Sequence, residues 1–142
     1  LEEKNNSTKE ITLSAEDQFQ LAFDYIRAKN WVDAKTSLEL FIEQYPENQL
    51  SGSAHYWLGE LYILEKKYRD AALIFAEGYQ KFPKSIKAPD MLFKLSQSLY
   101  EVNKIDEACK TVEKFIIDYP KNKFIKNANS KLKDYGCLDN QE

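Results

Sequence analysis

Histidine and methionine each occur once in this 142-residue chain, cysteine twice, and glycine and proline four times each. Each scarcity excludes something. His55 is the only imidazole, and its setting, after Ala54 and before two aromatics, reads as structural rather than as the base of a nucleophilic set. Cys109 and Cys137 stand alone without metal-ligand spacing, and one histidine cannot complete a zinc site. The few glycines form no phosphate-cradling loop. No run of 18 apolar residues is present, so no membrane-inserting segment is expected. Leu1–Leu13 is polar and acidic instead of charged and then apolar, unlike a secretion leader. The net charge of −3 lacks the clustered basic surface that nucleic acid requires. Carboxylates are many but scattered over what read as solvated helix faces. No enzyme, cofactor, metal site or nucleic-acid partner is expected. The two cysteines permit a disulfide without establishing an oxidising compartment.

What the chain has is a period. Ala34, Ala71 and Ala108 lie 37 residues apart, as do Pro46, Pro83 and Pro120, each preceded by an aromatic (Tyr45, Phe82, Tyr119). Self-similarity at this interval marks a repeat array in which each unit is one supersecondary element. Residues 1–13 read as a polar tether. Ser14-Ala-Glu-Asp17 is a helix-capping signature, because the Ser14 hydroxyl can accept a free N–H of the first turn. Helices are expected from there to about Ala28 and from Trp31 to Tyr45, where the residue before Pro46 is steered away from the α region. The same grammar gives helices near Ser53–Glu65, Tyr68–Phe82, Ala88–Val102 and Ile105–Tyr119, with a capping helix at about Lys123–Tyr135. Acids at Asp33, Asp70 and Glu107 sit near the positive ends of the second helices. The expected fold is all-α, three helix pairs plus a C-terminal cap. The folded domain is expected over 14–138, with units at about 15–46, 52–83 and 89–120, a cap at 123–135 and a tail at 139–142.

Ala22, Gly59 and Ser96, again 37 apart, are all small, as close helix crossing demands. Large packing residues flank them: Leu21 and Tyr25, Leu58 and Tyr62, Leu95 and Leu99. Leu38 and Phe41, Phe75 and Gly78, and Val112 and Phe115 are assigned to the space between successive pairs. A second stripe runs along the first helices: Phe19, Phe23 and Ile26; Tyr56, Glu60 and Ile63; Phe93, Gln97 and Tyr100. Its i, i+4, i+7 spacing puts each trio on one face. Two uses are open to it. The residues either cover the core edge or line a concave groove that takes a partner helix or extended peptide.

Leu58-Gly59 with Tyr62, then Ala71, Phe75 and Pro83, resemble tetratricopeptide repeats, although the 37-residue period exceeds their usual ~34. The wording of the units is narrower. Ala54-His-Tyr-Trp-Leu-Gly-Glu60, Tyr79-Gln-Lys-Phe-Pro-Lys-Ser85, Lys87-Ala-Pro-Asp-Met-Leu-Phe-Lys-Leu95 and Asp106-Glu-Ala-Cys109 resemble the C-terminal domain of the YbgF/CpoB family of Tol–Pal system proteins. The resemblance covers about Glu16–Leu138. It implies a tetratricopeptide-repeat superhelix in the periplasm of a Gram-negative bacterium. It also implies a scaffold that binds TolA and links outer-membrane constriction to septal peptidoglycan synthesis by a class A penicillin-binding protein. Members carry an upstream signal peptide and a trimerising coiled coil, which would make a homo-oligomer of the longer protein. Tyr135-Gly-Cys137-Leu resembles the Gly-Cys ending of some members, and with Cys109 it implies a disulfide pinning the cap to the third unit. A family related in architecture is the outer-membrane assembly lipoprotein BamD, which would need a lipidated N-terminal cysteine. An auxiliary repeat domain of a cell-wall enzyme is the reading from a different functional class.

The register has a direct test. Ala71→Leu overpacks the helix crossing and should lower stability by roughly 1–3 kcal/mol, read as a fall in melting temperature; an unchanged melting curve would refute the alignment.

Overall fold

The computed structural model describes residues 13–137; all but Leu13 of the tether expected over 1–13, the last residue of the domain expected over 14–138, and the tail over 139–142 lie outside it. Seven α-helices follow one another among the described residues: α1 Ala15–Arg27, α2 Trp31–Gln44, α3 Leu50–Leu64, α4 Tyr68–Lys81, α5 Ala88–Glu101, α6 Ile105–Asp118 and α7 Ile125–Asp134. Each packs against the next in sequence. Ser14 caps α1 as its sequence foretells, its Oγ accepting from the Asp17 N–H at 3.1 Å.

The turns repeat as faithfully as the helices. Lys29, Lys66 and Asn103, 37 apart, all adopt positive φ (60°, 59° and 65°). In each case the next N–H reaches back to the last turn, as Lys67 N does to the Tyr62 carbonyl at 2.8 Å, while Lys66 N bonds that of Ile63 at 2.9 Å. This is the Schellman pattern, which satisfies carbonyls that the helix end leaves free. Between pairs, Asn48, Ser85 and Asn122 recur at the same interval. Their side chains accept from the N–H two residues on (Leu50, Lys87 and Phe124) at 2.9, 3.1 and 2.9 Å. That local bond explains why α3 begins at Leu50, earlier than the expected Ser53.

Close approach between paired helices is made at the small positions. Ala22, Ser96, Ala34, Ala71 and Ala108 are wholly buried, and so is Gly59. The group that Gly59 meets is the ring of Phe75, into which any Cβ at this position would run. The middle unit departs from the other two. Phe41 and Phe115 are fully buried aromatics, yet the equivalent position is Gly78. Thirteen residues farther on, the order reverses: Ala54, Met91, Ala128. A Cβ on Gly78 would lie 2.6 Å from the Met91 sulfur and 2.6 Å from the His55 Cβ. Bulk that the other units place on the second helix is supplied here in part by Met91 and His55 of the neighbouring helices. His55 thus becomes a core residue, its Nδ1 2.6 Å from the Ser51 carbonyl and its Nε2 3.0 Å from Glu77.

One packing assignment is corrected. Leu21 is 41% exposed, whereas Leu58 in the same register is 2% exposed. Leu58 belongs to a helix with neighbours on both sides; α1 has none before it among the described residues. At the other end α7 takes the place of a fourth first helix. Its start is in register with α5, but Gly136 (φ 75°) ends it a turn early and brings Cys137 back to Cys109. The disulfide joins two buried cysteines with Cα atoms 5.5 Å apart. Closing a loop of this size contributes roughly 3–4 kcal/mol in the chain-entropy view.

Two substitutions should move stability in opposite directions. Gly59→Ala gains up to about 1 kcal/mol of helix propensity but forces Phe75 aside, for a net loss of about 1–2 kcal/mol. Lys66→Gly relieves a left-handed lysine and should stabilise by roughly 0.5–1 kcal/mol. Chemical denaturation of both variants checks the signs.

Candidate interaction surface

Curvature follows from which helices touch. α1 contacts α3 and α3 contacts α5, while the second helices α2, α4 and α6 do not pack on one another to that extent. The first helices therefore lie closer together and line the inside of the bend, and the second helices form its outside.

On the inner face the stripe divides into a wall and a surface. Phe19 meets Phe41 edge-on with ring centroids 5.7 Å apart and belongs to the first core cluster. Phe93 is only 4% exposed, pressed between Phe115 (5.3 Å) and a stacked Phe124 (5.5 Å). Its assignment as a partner-contacting groove residue is corrected: Phe93 is core. The reason is the register of α7, whose N-cap residue is Phe124 and lands on the face that spacing alone left open. Lys87 holds the equivalent place one unit earlier, its Nζ 4.7 Å from the Tyr56 ring centre and 5.3 Å from that of Trp57.

The remaining stripe residues stay accessible. Phe23 is partly exposed, edge-on to Trp57 at 5.4 Å with the Arg27 guanidinium 5.5 Å from its ring centre. Ile26 and Ile63 are half-buried against the first and central clusters. Tyr56 leans on Trp57 (5.1 Å) and Phe75 (6.3 Å). Burial, with the charges of Glu60 and Asp90 behind it, holds the Tyr56 phenol far above its ordinary range, so it stays a neutral donor. Glu60 lies 3.4 Å from Lys94 of the next unit in an ion pair bridging α3 and α5, although that oxygen accepts no hydrogen bond of good geometry. Gln97 is half-buried beside it. Tyr100 is 37% exposed and stacks on Tyr135 of the cap, centroids 4.3 Å apart and planes 16° apart. Burial pushes the Tyr135 phenol up to about 12.

The structure thus brings together an apolar half, Phe23 with Trp57 and Tyr56, and a polar half, Glu60, Lys94, Gln97 and Tyr100. Sequence reasoning missed Trp57, Lys87, Lys94 and Tyr135. A signal was available for two of them: Trp57 and Lys94 are 37 apart and each precedes a stripe residue by three, one helical turn. Lys87, the N-cap of α5, lies outside the span expected for that helix, so helical spacing could not assign it; Tyr135, the last residue of the expected cap helix, was placed on that helix's apolar side but not on this face. Among the described residues no group of His, Cys, Asp and Glu could hold a metal ion.

The tetratricopeptide-repeat family model matches residues 18–48 and 90–122, the first and third helix pairs. Solved structures agree on the architecture. A tetratricopeptide repeat protein from Parabacteroides merdae superposes with a TM-score of 0.66 at 18% identity, covering 76% of this chain and 41% of that one. A MamA mutant superposes at 0.69 and 17% identity, covering 88% and 66% respectively. The fold is a tetratricopeptide-repeat superhelix. Over 43 residues the chain is also 40% identical to the cell division coordinator CpoB of Pseudomonas putida; that stretch is 30% of this chain but only 16% of the relative's length. Tetratricopeptide-repeat arrays of this kind present an extended concave surface that binds protein partners.

The division between wall and surface is measurable. Phe93→Ala should cost about 3–5 kcal/mol as a core truncation. Tyr100→Ala should cost no more than about 1 kcal/mol, the loss of one aromatic stack. Comparable losses in urea unfolding would return Phe93 to the surface.

Proposed function

We propose that this chain is a periplasmic interaction module of the Tol–Pal type. It docks a segment of TolA on its concave face and so helps to couple outer-membrane constriction with septal peptidoglycan synthesis by a class A penicillin-binding protein. The observation that carries the reading is the continuous inner strip from Phe23 to Tyr100, accessible across three first helices and built from apolar contact at one end and paired charge at the other. Aromatic anchors of this kind supply most of the energy in protein interfaces. The Glu60–Lys94 pair and Gln97 set polar register, so a segment with alternating apolar and hydrogen-bonding groups fits best.

Three further facts support it. The stretch that is 40% identical to CpoB ties the repeats to a protein named for coordinating cell division. The Cys109–Cys137 bond is of a sort that persists in oxidising compartments such as the periplasm. No helix among the described residues is long and apolar enough to cross a membrane. Since the inner strip holds neither a metal-ligand cluster nor a nucleophile with a base, the mechanism proposed is binding without reaction.

Titration calorimetry with the periplasmic part of TolA tests the site. The double variant Phe23→Ala/Tyr100→Ala should weaken binding at least about tenfold, the worth of two truncated interface aromatics, and leave the melting temperature close to that of the parent. Unaltered affinity would place the TolA site elsewhere on the array.

A further inference from the structure

The outer face holds a second groove. Because the second helices splay, α4 and α6 stand apart and α5 shows between them as a floor. Two adjoining cavities of about 480 and about 370 Å3 share Ala76, Leu95, Lys110 and Thr111, and so run together along this gap. Leu92, Leu95, Leu99 and Val102 of α5 and its C-cap make an apolar floor at helical spacing. The α4 wall is apolar and low: Ala72 and Ala76 leave room, and Leu73 stands 66% exposed at the lip. The α6 wall is different in kind. Lys104, Lys110 and Lys114 border it, Arg69 adds a cation at one end, and Glu107 is the single acid among the lining residues. Arg69, Lys104 and Lys110 form no ion pair among the described residues, whereas Lys114 is paired with Asp118 at 2.8 Å. This local charge runs against the chain's overall acidity, net −3.

From these features we propose that the α4–α6 groove is a second docking surface, and that its occupant is an acidic amphipathic helix of a partner protein. The span from Arg69 to Gln80 is about 17 Å at ~1.5 Å per residue, three turns of helix. A helix of that length laid in the gap places i, i+3/i+4 and i+7 apolar anchors on the α5 floor. Its opposite flank then carries carboxylates toward Lys104 and Lys110, where they complement the charge and speed encounter. The surface lies on the side away from the inner strip, so both can be filled at once. The proposal does not depend on the concave reading.

Fluorescence anisotropy with a labelled 14-residue helical peptide, Leu and Ala on one face and Glu on the other, tests it against the same peptide with Lys in place of Glu. The acidic peptide should bind and the basic one should not. Leu73→Asp, and separately Lys104→Glu/Lys110→Glu, should each weaken binding at least about tenfold, and added salt should weaken it further. All three positions are exposed, so an unchanged melting curve shows that the fold is intact. Phe23→Ala/Tyr100→Ala should leave this binding as it was. Absence of binding by both peptides, equal binding of both, or a loss caused only by the inner-face variant would overturn the proposal. So would a concentration-dependent dimer that Leu73→Asp dissolves, which would make a second copy of the chain the occupant.

Discussion

Everything in this molecule depends on how closely the two helices of a pair can approach. At Gly59 the backbone of α3 lies against the Phe75 ring with no room for a methyl group, and the equivalent alanine and serine positions are sealed from solvent. That contact sets the crossing of each pair, and the crossing sets where the next pair stacks. A single pair could not bury its own apolar stripe, so stability is built between neighbours. The structure meets this condition at one end with the disulfide-bound α7, whose outer residues Lys126, Asn127, Asn129 and Ser130 are all exposed. At the other end no described helix precedes α1, and Leu21 is 41% exposed where Leu58 is buried.

The middle unit shows how much freedom the constraint leaves. Gly78 replaces a phenylalanine that the other units bury, and Met91 and His55 supply the missing bulk from the two adjacent helices. Helix order is preserved although the positions of Gly78 and Met91 both differ in residue type from their equivalents in the other units. The cost of such a solution is an imidazole in the core, and its two nitrogens find Ser51 and Glu77 as partners. A buried ring with both nitrogens engaged fits a structural group better than a catalytic one.

Function follows from the curvature that stacking imposes. Bringing the first helices together makes the inner strip continuous and lets side chains of successive units pair, as Glu60 and Lys94 do. Spreading the second helices opens the clefts of the outer face. The same wedge shape thus generates a mixed aromatic and polar inner surface and an apolar outer groove with a basic wall.

Much of this was legible in the residues alone. Period, helix order and the small crossing positions follow from a pattern that repeats every 37 residues, and the Ser14 cap, found on α1 alone among the described helices, is read from its own local sequence. The turns were harder to see, because Lys29 and Lys66 are of a type that seldom announces a left-handed conformation; Asn103, of a type that adopts it more readily, shares their spacing. By itself the sequence determined the repeat and the face on which each stripe lies. Tertiary structure alone decided which stripe residues remain available. Phe93 is removed from the surface by Phe124, Tyr100 is backed by Tyr135, and Tyr56 is roofed by Lys87. The physical reason is that helical periodicity assigns a direction to a side chain, whereas exposure depends on what the neighbouring unit places over it.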